Sequence, residues 1–87
     1  QGGFGTSWID NAMATAAMAQ ANFEKVAMSL ELKISFFRAA NPGPVIAEGW
    51  VERAGGRITF AEGLLRTPDG EIIAKGTSTL SMKPIKR

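Results

Sequence analysis

The sequence predicts an α+β layer, in which one apolar helix is followed by a four-stranded antiparallel meander. Three observations carry that expectation. As far as Phe23, apolar residues recur at three- and four-residue intervals; from Val26 onward the interval drops to two. The turn-forming runs "NPGP", "AGG" and "TPDG" then divide the remainder into segments of strand length.

The helix is expected from Phe4 to about Phe23. Trp8, Ile9, Ala12, Met13, Ala16, Ala19 and Phe23 hold the helical interval, and Ala14, Ala17 and Ala21 fill much of the remaining surface. Such a helix is usually enclosed, because alanines let a sheet approach closely. In the first strand Val26, Met28, Leu30, Leu32, Ile34 and Phe36 form one row, read as facing the core. Ala27, Ser29, Glu31, Lys33 and Ser35 form the opposite row. Two prolines and a glycine at 41–44 cannot continue a ladder, so the strand breaks there. Val45 to Arg53 reads as the second strand, Arg57 to Arg66 as the third and Glu71 to Met82 as the fourth. Pro68 and Gly70 suit the second and last positions of a β-turn between the last two.

The chain of 87 residues suffices for one domain, 1–87, with an apolar fraction of 45% and a charged fraction of 21%. It opens on Gln1, not Met, so a processed or N-terminally incomplete product is expected. A net charge of +2 is too small to argue for nucleic acid, and Lys83, Lys86 and Arg87 form only a short basic tail. The absence of cysteine excludes disulfides and thiolate metal sites. The absence of histidine removes Ser-His-Asp triads, HExxH zinc sites and imidazole acid–base chemistry. No metal or resident cofactor is expected. Catalysis, if present, rests on carboxylates, hydroxyls, lysines, amides or backbone. No run approaches the roughly 18 apolar residues of a membrane span, and no leader-like segment is evident; a cytoplasmic, self-associating protein is expected.

Asp10 is the first candidate for chemistry. Ser7-x-x-Asp10 has the form of a capping box, with Ser7 as N-cap and Asp10 at the third helical position. Alternatively the helix starts directly after Gly2-Gly3, which leaves Asp10 two turns in, where a carboxylate is costly unless a site solvates it. The residues alone leave both readings open. Gly2-Gly3 at a helix start would offer unobstructed amides to a developing negative charge, although a plain loop fits equally well. Glu31 and Lys33 read as a solvated face, the Arg53-to-Arg57 turn as a hairpin tip, and the methionines as packing.

The order of these motifs is more specific than any one of them. "QGG" opening a helix, then Asp10, "SLELKISFFRAANPG", a Gly-Arg turn and "DGEIIAKGTSTL" resemble the hotdog-fold acyl-CoA thioesterases of the phenylacetic-acid-degradation type. The resemblance runs from Gln1 to about Met82. It implies a long central helix wrapped by a curved antiparallel sheet, edge-to-edge dimers that pair into tetramers, and an active site between subunits. It also implies hydrolysis of an acyl-CoA thioester, with CoA entering only as part of the substrate. The family's catalytic acid maps to Asp10, as general base or nucleophile, and its oxyanion-hole glycine to Gly2. A hydroxyl that helps place water maps to Ser29, expected from the neighbouring subunit. Gln1, Gly3, Asn11 and Phe36 are expected to line the substrate site, and Arg53, Gly55, Gly56 and Arg57 to hold the nucleotide end of CoA. A thioester has little resonance stabilisation, so a carboxylate and polarising amides can act on it without histidine.

The chain departs from the family pattern in three places. Gln1 stands where the motif has His, Ala39 stands where Pro is common, and the helix and strand that precede the motif in the family are missing. The alternative function is a non-catalytic hotdog module that binds an acyl or CoA ligand or serves as an assembly partner. A dehydratase is disfavoured, because those enzymes depend on a catalytic histidine.

Overall fold

The computed structural model of the chain describes residues 2–38 and 43–85. Its elements are a helix, α1 (Gly2–Gln20), and four strands, β1 (Lys25–Phe36), β2 (Ile46–Ala54), β3 (Ile58–Arg66) and β4 (Ile72–Pro84). All pairings are antiparallel, in the order β1-β4-β3-β2. This is the predicted α+β layer, a single helix on a four-stranded sheet in the hotdog arrangement. It is not the predicted simple meander: β2, β3 and β4 follow one another, but β1 joins the far side of β4. Alternation reveals which segments are strands; it carries no information about which neighbour each one takes.

Ile9, Met13 and Ala17 follow the helical interval and are buried against the sheet, where Ala61, Leu65, Ala74, Leu80 and Met82 complete the core with Ile73. The enclosure expected of α1 is realised on this side, whereas Trp8 on the flank is 45% exposed. The helix also ends earlier than the apolar spacing suggests. Asn22 and Phe23 take left-handed backbone angles (φ 55° and 56°), and the Phe23 amide donates to the Met18 carbonyl at 2.8 Å. That closure satisfies a carbonyl of the last helical turn.

What seats α1 is a row of glycines. Gly49 of β2 pairs with Gly63 of β3, which pairs with Gly76 of β4. A Cβ built on Gly49 would lie 2.5 Å from the Ala12 carbonyl, and one on Gly63 2.9 Å from the Met13 side chain. Glycine in a strand interior permits this close backbone approach. Because the approach is tightest at β2, the helix lies over the β2 side of the sheet, and the helix-facing side of β1 is left partly open.

At the turn between β3 and β4, the Gly70 amide donates to the Thr67 carbonyl at 3.0 Å and Gly70 takes a positive φ of 99°. This is the predicted β-turn. The Thr67 hydroxyl donates to the Asp69 carboxylate and, as the main cause, holds its pKa below the ordinary value.

Candidate active site

The site begins with an irregularity in β1. The pairing of β1 with β4 shifts between Ser29 and Glu31, leaving Leu30 as an extra residue. Directly paired residues of an antiparallel ladder point to the same face. Ala27 pairs with buried Met82 and Ser29 with buried Leu80, so both face the helix. Beyond the bulge Leu32 pairs with Ser78, Ile34 with Gly76 and Phe36 with Ala74, and the even-numbered positions now face the helix. The predicted single row from Val26 to Phe36 is therefore split. Val26 and Met28 point away from the helix and are 48% and 60% exposed. Ser29 is on the helix side, not on the opposite face where strict alternation placed it.

The consequence is a contact with the helix. The Ser29 hydroxyl donates to the Asp10 carboxylate at 3.1 Å. Helix α1 starts at Gly2, so Ser7 lies inside it and the capping-box reading of Asp10 is excluded. Asp10 is half-buried on the helix flank above β1. Leu32 and Phe36, also helix-facing, remain 36% and 42% exposed because the helix sits toward β2. These four side chains line an open trough between α1 and β1. It pairs a carboxylate, oriented by a hydroxyl, with an apolar wall, as a base for water and an acyl-binding surface require. The ring of Phe36 closes one end against Gly5.

The hydroxyl that reaches Asp10 belongs to the same chain. The spacing of Gly2 has the opposite consequence. It lies two turns before Asp10, roughly 12 Å along the axis. The two cannot both touch one carbonyl group within a single protomer. Gly3 lies in the same first turn, and Gln1 lies outside the described residues. Asn11, two positions from both Ile9 and Met13, is exposed on the side of the helix turned from the sheet and is not brought to the trough.

The predicted CoA turn is divided: Gly56 and Arg57 line a depression at the end of the sheet, and Arg53 and Gly55 do not. Lys25 Nζ donates to the Gly56 carbonyl at 3.1 Å. Lys25, Gly56, Arg57 and Lys83 together line that depression. Gly55 closes the turn, its amide donating to the Ile58 carbonyl at 2.7 Å. Arg53 pairs with Phe60 on the face away from the helix and does not line this depression. Lys25 and Lys83 were hidden in the sequence: one lies far from the turn along the chain, and the other looks like part of a basic tail. Lys25 shares the helix-facing side of β1 with Ser29, roughly 13 Å away. Among the described residues, no three side chains of metal-ligating type come together, and no helix is long and apolar enough to cross a membrane.

This fold agrees with the comparisons to known proteins. Residues 2–74 match the family model of the thioesterase superfamily, and the chain belongs to that superfamily. Among solved structures, a conserved protein of Pseudomonas aeruginosa is 32% identical, with a TM-score of 0.89 over 94% of this chain and 65% of its own. A Bacillus halodurans protein solved with CoA shares the fold at 24% identity, with a TM-score of 0.87 over 94% of this chain and 58% of its own. A Haemophilus influenzae thioesterase shares it at 18% identity, with a TM-score of 0.91 over all of this chain and 61% of its own. The chain thus spans somewhat under two thirds of the length of each of these relatives. No curated protein matches it.

Proposed function

We propose that this chain hydrolyses acyl-CoA thioesters as a member of the phenylacetic-acid-degradation type, with the QGG form of the motif. The observation that carries the reading is the hydrogen bond from Ser29 to Asp10 in an open, partly apolar trough. In the proposed reaction Asp10 draws a proton from water, which adds to the thioester carbonyl; alternatively the carboxylate itself attacks. The carbon–sulfur bond then breaks; the thiolate of CoA takes up the proton held by Asp10 in the first route or one from solvent in the second, where water afterwards hydrolyses the acyl–Asp10 anhydride to free acid. Ser29 fixes the carboxylate rotamer or the water. Leu32 and Phe36 cover the acyl group. Arg57, Lys25 and Lys83 meet the phosphates of CoA at the end of β1, a pantetheine-like distance from the carboxylate. The CoA carried by the Bacillus halodurans relative supports this choice of ligand.

The oxyanion is held by the amide of Gly2 at the positive end of α1. Since that amide is two turns from Asp10 in its own chain, the proposed site joins Asp10 and Ser29 of one protomer to Gly2 of a neighbour. The working unit is therefore a cytoplasmic homodimer joined through sheet edges, which in turn pairs into a tetramer. The edges of β1 and β2, unpaired among the described residues, are consistent with such joining. Residues 1–87 act as one hotdog domain.

A panel of acyl-CoA esters, followed by release of free thiol, tests the reading. Turnover is expected with at least one ester and is expected to fall by about 10²- to 10⁴-fold in Asp10→Asn. Tight binding of acyl-CoA with no turnover would support the non-catalytic module instead.

A further inference from the structure

On the helix-facing side of β4, Ser78 stands in one row with Gly76, Leu80 and Met82. It is 4% exposed, and its hydroxyl has no hydrogen-bond partner among the described residues. Its paired neighbours, Leu32 on β1 and Ala61 on β3, offer no polar side chain. Ser29 and Thr59 flank it diagonally on the same face, roughly 7 Å away between Cβ atoms and out of direct reach. A buried hydroxyl left in this way costs stability. Alanine, which fills the same core at positions 61 and 74, would avoid that cost. Packing alone does not account for a serine here.

The neighbouring trough does. Leu32, 36% exposed, forms part of its wall, and Ser78 is the next residue inward from Leu32 beneath α1. Ser29, which holds the Asp10 carboxylate, is the diagonal neighbour on the same side. We infer that the Ser78 hydroxyl selects acyl groups that carry a hydroxyl or oxo oxygen on the second or third carbon. A thioester carbonyl within reach of Asp10 carries that part of the acyl chain over Leu32, and an oxygen there closes the gap to Ser78. Serine both donates and accepts, so either kind of oxygen satisfies it. A plain acyl chain covers Ser78 and leaves it unpaired, which is how a polar site rejects an analogue that lacks the polar group. This inference rests on the acyl-CoA reading of the site and adds a substrate class to it.

Two CoA thioethers that cannot be hydrolysed, S-butyl-CoA and S-(3-hydroxybutyl)-CoA, test it by titration calorimetry on the whole chain. The wild type is expected to bind the hydroxylated ligand at least about tenfold more tightly. In Ser78→Ala that ratio is expected to fall below about threefold, and urea denaturation is expected to show a variant at least as stable as the wild type. Equal affinities in the wild type would overturn the inference, as would a preference that survives in Ser78→Ala or binding of neither ligand. A destabilised variant would overturn it too, since the hydroxyl would then have a partner within the fold. Hydrolysis is judged separately with the acyl-CoA panel. A protein that binds with this preference but releases no thiol would uphold the inference and sink only the thioesterase reading.

Discussion

At the scale of single residues, the account turns on how Ser29 acts on Asp10. A hydroxyl donating to a carboxylate is a charge-assisted contact, and removing it removes both orientation and a partner. Ser29→Ala is expected to lower kcat about 10- to 100-fold with KM for the acyl-CoA nearly unchanged. Ser29→Thr, which keeps the hydroxyl, should recover most of that loss. Steady-state kinetics of both variants checks this, and a threonine variant as impaired as the alanine one would indicate packing instead. Asp10 was visible in the sequence as a candidate, but its role was not, because Ser7-x-x-Asp10 fits a helix cap equally well. Only the start of the helix at Gly2 resolves the two. Lys25 was not visible at all, since its tie to Gly56 spans the distance between two sheet elements.

At the scale of elements, two irregularities position the site. The bulge at Leu30 reverses the parity of β1 and so delivers Ser29 to the helix side. The glycine row draws α1 toward β2 and leaves the trough beside β1 open. In Gly49→Ala, the added methyl would press on the backbone carbonyl of Ala12, which cannot swing away as a side chain could. A loss of about 1–3 kcal/mol in urea-denaturation stability is expected, whereas unchanged stability would mean that the helix is less tightly seated than described. The helix, four strands and the turn at 67–70 were legible from periodicity and turn residues. The strand order, the bulge and the glycine row were not. A bulge leaves the count of apolar residues unchanged, and three glycines spread over three strands become a row only once the register is known.

At the scale of the whole molecule, membership of the thioesterase superfamily and the hotdog fold are established by the match over residues 2–74 and by the solved relatives. The central claim built on them is that one active site draws Asp10 from one chain and Gly2 from another. Motif order pointed to both residues and to a site between subunits; the proposed assignment of Gly2 to the second chain rests on the rise of the helix between them. Two variants test it together. Asp10→Asn removes the carboxylate, and Gly2→Pro removes the amide donor at a helix position that tolerates proline. Each alone is expected to be nearly inactive. Equal amounts unfolded and refolded together are expected to recover about a quarter of wild-type turnover, since half of the dimers would carry one intact site of two. A mixture as inactive as its components, or either variant active on its own, would contradict the claim.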